Sequence, residues 1–177
     1  MVIESYFVGA DEVLQEVLDA EPDDSHVSPT TRARVVGSVD RSGLLWDLGS
    51  PYLVSVPVQH ILFMEGNQWN FDHAAALVHA MDGENVFEPP AGRVYVIDKS
   101  SVKLSREYDA GGELEYQMNM VRPWAASDVG QLYAQLLDGN HRAAAAILAG
   151  ATHIPVHVGE NYREDIPKSK YLKQRRS

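Results

Sequence analysis

Apolar positions in this chain follow two rhythms, one of period two and one near 3.6, and the clearest succession of the two lies toward the C-terminal end. Residues 131–137 are mostly apolar and run into Asp138-Gly139, which reads as a strand halted by a tight turn. Leu132, Ala134 and Leu136 would point to one face and Tyr133 and Leu137 to the other, so both faces are apolar and the strand is expected at the centre of a sheet. An alanine-rich run then opens at Asn140-His141 and closes at Gly150, predicting a short helix with Asn140 at or near its N-cap and the glycine just past its end. Val156 and Val158, in a run shaped by Ile154 and a strand-edge Pro155, predict the next strand.

Upstream the same reading gives a succession of short elements. A strand is expected within 2–8, then a helix capped by Asp11 with Leu14, Val17 and Leu18 at helical spacing, ending near Glu21-Pro22. Strands are expected at 34–39 and 52–56, with 40–43 as the turn between them and Trp46 in or near the pairing. Asp72 is expected to cap a second helix in which Ala74, Leu77, Val78 and Met81 face a core and which Gly83 ends. Residues 87–92 form a stiff proline connector to a strand at 93–97, and 102–106 is a further strand candidate. From 114 to 121 Leu114, Tyr116, Met118 and Met120 alternate with Gln117 and Asn119, and Glu113 and Glu115 lie on that polar face. The fold class expected is α+β, with a mixed, partly barrel-like sheet and short helices packed on it.

Composition sets bounds on this picture. A chain of 177 residues, 45% hydrophobic, is long enough for one globular domain with a real core. Neither a basic n-region nor an apolar run approaching transmembrane length is visible, and there is no cysteine; the expectation is a cytoplasmic protein without membrane contact, disulfides or thiolate chemistry. Charge changes the picture further. Lys168, Lys170, Lys173, Arg175 and Arg176 are five of the 15 basic residues, so the first 167 residues carry 10 basic against 25 acidic side chains, a formal charge of −15. Such a body is a poor general DNA clamp, whereas residues 168–177 form a basic tail, expected to be mobile, that could fold back or reach an anionic partner, DNA being the natural one.

Candidate chemistry concentrates at the helix start. Unpaired backbone N–H groups, the helix dipole, His141 and Arg142 converge there beside Asp138, a setting suited to phosphate. The forked donors of Arg142 fit phosphate oxygens, or tie the turn to a neighbouring carboxylate. Glu113 and Glu115 share one strand face and could hold a divalent cation with a nucleotide's phosphates, or simply face solvent. His153 and His157 share a strand face but are too far apart to chelate one metal alone, and no spacing such as His-Glu-x-x-His occurs, which argues against zinc. The chain has no nucleophile elbow, no Walker-type loop and no dinucleotide-binding glycine fingerprint. Phosphate chemistry remains: Gly139, Asn140, His141 and Arg142 as the phosphate-binding set, Asp138 with Glu113 or Glu115 holding Mg²⁺, and His141 as a proton-transfer group.

Asp138-Gly-Asn-His-Arg142, with Gly150 downstream, resembles the Gly-x-x-Arg box of the ParB/sulfiredoxin-like superfamily, whose members bind a nucleotide phosphate at this helix start. The fit is closest to members written Asp-Gly-His-His-Arg, such as the ParB-like small-molecule kinases. Sulfiredoxins carry Gly-Cys-His-Arg; with Asn140 at the cysteine's place, sulfinic acid reduction is excluded. Partition-protein CTPases carry Gly-Glu-Arg-Arg, and this chain departs at both middle residues. The resemblance covers 131–158 and extends upstream to Pro57, where 56–61 is similar to a strand-to-helix passage early in such domains. It implies a single ParB/sulfiredoxin-like domain over 1–167. The activity implied is that of a nucleotide-binding NTPase or phosphotransferase using ATP or another nucleotide and Mg²⁺, with nuclease action on DNA as a further expectation.

A second class of function is a non-catalytic interaction protein of the same fold, like the plasmid fertility-inhibition proteins of the superfamily, whose partner would be a protein of a DNA-transfer or partition system. The tail gives the test that bears on DNA. If several of its cations meet DNA phosphates, affinity should fall steeply between roughly 50 and 200 mM salt, and removing 168–177 should flatten that slope. Equal affinity and slope for full-length and truncated protein would exclude the tail as the contact.

Overall fold

The computed structural model describes residues 7–23, 25, 27–30, 32–64, 69–103 and 124–173, with side chains from Val13 onward. Its strands are β1 (Phe7–Gly9), β2 (Val36–Gly37), β3 (Leu45–Asp47), β4 (Leu53–Pro57), β5 (Ile61–Met64), β6 (Val86–Phe87), β7 (Ala91–Val96), β8 (Leu132–Asp138) and β9 (His153–Val158). Its named α-helices are α1 (Ala10–Asp19), α2 (Phe71–Ala80) and α3 (Asn140–Leu148). The architecture is α+β, with two mixed sheets where the sequence suggested one. The larger has the order β1-β5-β8-β7-β9-β4 and the smaller β2-β3-β6.

The larger sheet is forced to curl. β4 and β5 lie four places apart in it, about 19 Å if the sheet were flat. The link from Pro57 to Ile61 is a single 3₁₀ turn, Val58–His60, and four Cα steps reach at most about 14 Å. The sheet therefore wraps so that β4 returns toward β5. Val54, Val56, Ile61, Phe63, Val94, Ala134, Leu136, Ile154 and Val156 form one buried cluster inside the wrap. His60 fastens the link by a 2.8 Å contact from Nδ1 to the Leu132 carbonyl and by stacking on the Tyr133 ring. This 3₁₀ turn stands where the sequence suggested a strand-to-helix passage.

β8 is central, paired antiparallel to β7 and parallel to β5. Its register slips between Ala91↔Asp138 and Gly92↔Leu136, so Leu137 is an extra residue opposite β7. That bulge explains why Leu136 is fully buried while Leu137 is 48% exposed. Gly92 is required here, since a Cβ would stand 2.1 Å from the Gln135 carbonyl oxygen. β9 is interior and not an edge strand. Its even-numbered residues pair with β4, as in Val158 N–H to the Tyr52 carbonyl, and its odd-numbered ones with β7, as in His157 N–H to the Pro90 carbonyl. β7 reaches only His157 and Val158, so Pro155, which has no N–H to donate, lies in a stretch of β9 that β7 does not flank.

Ala143, Ala144, Ala145 and Ala146 are all fully buried, so α3 is enclosed on every side and not by one alanine face alone. α1 and α2 pack against it. Val13 and Val17 supply the buried face of α1, whereas Leu18 is exposed, and Asp11 lies inside the first turn of a helix that begins at Ala10. The cap of α2 is Asn70, whose Oδ1 accepts the His73 N–H. Asp72 instead accepts the Glu21 N–H. Residues 99–103 are helical rather than the start of a strand at 102, with Asp98 accepting the Ser101 N–H. The 114–121 alternation lies outside the described residues.

Two further expectations are corrected. The turn at 40–43 joins β2 to β3, which contains the buried Trp46, while residues 53–57 leave for the larger sheet. The tail is docked through its first part: Tyr171 bridges Val54, and the Leu172 N–H donates to the Leu53 carbonyl, covering the outer edge of β4. Lys168–Lys170 form a 3₁₀ turn before it.

Asp40 clamps the two sheets together. Its carboxylate accepts from the N–H groups of Thr152 at 2.7 Å and His153 at 3.0 Å, and from the Ser42 hydroxyl. Burial pushes its carboxyl up, but these hydrogen bonds from Ser42, His153 and Thr152 outweigh burial and bring it from 3.8 down to about 2. A folded-state value below the unfolded one means that the clamp stabilises fully above pH 4 or so and is lost as pH falls through about 2. Asp40→Ala should lower the unfolding free energy by roughly 1.5 to 3 kcal/mol at neutral pH, and should remove part of the acid sensitivity between those values. Urea unfolding of both proteins across pH checks it; coincident profiles would show that Asp40 clamps nothing.

Candidate functional site

The site is set by how β8 ends. Gly139 has φ of +80° and is the N-cap of α3. A Cβ there would also stand 2.8 Å from Pro90 Cα and 2.9 Å from Arg142 Nη2, so both conformation and space demand glycine. Among the described residues no side chain caps α3, and its first turn holds no acidic residue. Its first N–H groups are therefore left to solvent or to a ligand.

The next three side chains have different tasks. Asn140 is 3% exposed and turned inward; its Oδ1 accepts the Met64 N–H at 3.0 Å and its amide approaches the Leu136 carbonyl at 3.5 Å. It joins α3 to β5 and β8, and the expected phosphate contact from its side chain is corrected to a structural one. Arg142 Nη1 donates to the Glu88 carbonyl at 2.6 Å, and Nη2 lies 3.6 Å from the Asp138 carboxylate. The first contact ties α3 to the Glu88-Pro89-Pro90 connector. The second contributes little, because Asp138 is 80% exposed.

His141 joins two helix starts. Its Nε2 accepts the N–H of Asn70, the residue that caps α2, at 2.9 Å. Accepting at Nε2 places the proton of the neutral ring on Nδ1. Burial lowers its pKa, with a further lowering from neighbouring His73, whose ring centroid is 5.8 Å away. Protonation at Nε2 would also break the bond to Asn70. The ring packs against Trp69 at 4.9 Å.

A cleft of about 320 Å³ opens where the starts of α2 and α3 meet. Gly139, His141, Arg142 and Asp138 line it, as the sequence suggested, and so do Ser28, Thr30, His73 and Glu88, which it did not. His73 Nδ1 is buried without a hydrogen-bond partner. Leu77 and Phe87 supply an apolar wall. Thr30 is set in place by its N–H, which donates to the Val86 carbonyl. These additions come from three separate stretches, and of them the sequence placed only Leu77, in the core-facing series of α2.

Other candidates are not brought to this cleft. Glu113, Glu115, Arg175 and Arg176 lie outside the described residues. Lys168 and Lys170 are exposed in their 3₁₀ turn and do not line it, while Lys173 lines a separate groove. Among the described residues no group of three or more His, Asp or Glu side chains could hold a metal ion alone. No helix among the described residues is long and apolar enough to cross a membrane.

Gly139→Ala should lower the unfolding free energy by about 1 to 3 kcal/mol, through the cost of a left-handed alanine and the collision with Pro90. Denaturant unfolding measures it; an unchanged midpoint would mean that β8 and α3 can be joined by another backbone path.

Compared with protein-family models, with curated proteins and with solved structures, the chain finds no match in any of the three.

Proposed function

We propose that the chain is a nucleotide-binding protein that holds phosphate groups at the start of α3, in the service of nucleotide hydrolysis or phosphoryl transfer. The observation that carries this reading is the convergence of two helix N-termini on one cleft: α3 with no side-chain cap, and α2 bringing the unpartnered His73 Nδ1. Oriented N–H groups and two positive dipole ends favour an anion. The volume suits a phosphate group with part of a nucleotide, and Leu77 and Phe87 offer a surface for its less polar portion. The likeness of Asp138-Gly-Asn-His-Arg142 to the superfamily box supports the same assignment.

Each side chain then has a role. Arg142, held in plane by the Glu88 carbonyl, presents its remaining donors to phosphate oxygens. The Nδ1–H of neutral His141 donates to the same group. Asp138, exposed at the rim, would hold Mg²⁺ together with phosphate oxygens, and the ion would supply charge neutralisation. Phosphoryl transfer asks mainly for such positioning and charge stabilisation.

Melting curves with ATP, CTP or inorganic phosphate, each with Mg²⁺, test the reading, because a ligand of the folded state raises the midpoint. One of the nucleotides should stabilise the parent, and Arg142→Ala should weaken it about tenfold to a hundredfold while remaining folded. Phosphate release then reports turnover. Equal affinity in parent and variant would make Arg142 purely a tie to the Glu88 connector.

A further inference from the structure

His73 brings a second imidazole to the cleft. It stands in the first turn of α2, where its N–H is taken by Oδ1 of Asn70. Its ring lines the cleft and meets that of His141 edge to face, with 5.8 Å between centroids. Nδ1 is buried and has no hydrogen-bond partner. Nε2 is not buried, and among the described residues nothing bonds to it, so it is the nitrogen that meets the cleft.

The surroundings decide where the protons go. A proton on Nδ1 of His73 would be a buried donor with no acceptor, so the ring carries its proton on Nε2. His141 is fixed the other way round. Its Nε2 accepts the Asn70 N–H at 2.9 Å, and a proton there would set two N–H groups face to face. Burial first, and His73 second, lowers the pKa of His141, in keeping with that geometry. The charged groups of the cleft are Arg142 and, both exposed, Asp138 and Glu88. Asp72, beside His73 in the chain, spends Oδ1 on the Glu21 N–H. Among the described residues no carboxylate lies within ion-pair distance of either ring, so none stabilises an imidazolium.

We propose that His73 and His141 hold one phosphoryl group between the starts of α2 and α3 as a pair of neutral donors, His73 from Nε2–H and His141 from Nδ1–H, and that neither passes it a proton. The proposal rests on the phosphate assignment of the cleft and adds His73 to it. A helix N-terminus opposes a second positive charge, and an imidazole kept neutral there polarises a ligand oxygen as a donor without titrating. The proton-transfer role that the sequence suggests for His141 has no place in this arrangement.

Sulfate stands in for a phosphoryl dianion whose charge is constant from about pH 8 to pH 6, and calorimetry measures its affinity for full-length protein. The parent should bind it equally, within about twofold, across that range, because an imidazole that took up a proton on binding would strengthen it by up to about tenfold per pH unit. Near neutral pH, His73→Leu should weaken sulfate about tenfold. His73→Gln, whose amide can place an N–H where Nε2–H stood, should weaken it less than about threefold, both variants melting as the parent does. Nitrogen NMR of the parent's imidazoles asks the same question without a substitution: sulfate should shift Nε2 of His73 and Nδ1 of His141, each already protonated. An affinity that climbs about tenfold per pH unit, or a His73→Leu variant that binds as the parent does while Arg142→Ala binds more weakly, would overturn the proposal and leave the phosphate assignment standing. So would a His73 Nε2 resonance that sulfate leaves in place, which decides the matter should the leucine variant unfold. A parent that binds neither sulfate nor inorganic phosphate would remove the phosphate assignment itself, and this proposal with it.

Discussion

A link too short for a flat sheet governs this molecule. Because Val58–His60 must carry the chain from β4 to β5 in one 3₁₀ turn, the larger sheet wraps, and its inward residues meet across the wrap to form the main core. β8 then lies deep within the sheet with both neighbours in place, and the helix that follows it is enclosed in turn. Only very small side chains suit a helix in that position, which accounts for four consecutive alanines in α3. The reversal at Gly139 is the joint between these two most buried elements, and the backbone there has no freedom to differ.

The functional cleft is a by-product of the same constraint. α3 starts where β8 stops, and α2 starts after β5, the parallel neighbour of β8. Two helices that follow adjacent parallel strands begin at the same end of the sheet, so their N-termini converge. Asn70, Asn140 and His141 secure that convergence: Asn140 ties α3 to the last residue of β5, and His141 ties it to the cap of α2. These contacts take up polar atoms that would otherwise compete for a ligand, and they leave the first backbone N–H groups of α3 without a side-chain cap and the buried Nδ1 of His73 without a hydrogen-bond partner.

This division of labour explains what the sequence could and could not disclose. The β8-α3-β9 unit was legible because Asp138-Gly139 and Gly150 punctuate it and its apolar residues keep a clear period. Local pattern says where an element lies but not what it pairs with, which is why 52–56 reads as the hairpin partner of 34–39 when the true partner of β4 is β9, about a hundred residues away. Caps failed for a related reason. Asn70 and Asp72 are both plausible from type and position, and tertiary contact with Glu21 decides that Asp72 is not the one. At the site, residue type identified Arg142 and His141, but the inward turn of Asn140 depends on an unpaired N–H at Met64. Ser28, Thr30 and Glu88 reach the cleft from loops whose placement no spacing encodes.

The charge of the chain bears on the anionic ligand proposed for the cleft. With a formal −10 overall, long-range attraction does not bring a phosphate to the surface, so binding has to rest on short-range donors at fixed positions. In the cleft the positive ends are helix N-termini and an arginine held by a backbone carbonyl, which lose little freedom when a ligand arrives. A net negative chain sharpens that choice, because an anion that cannot use the local donors gains nothing from long-range attraction.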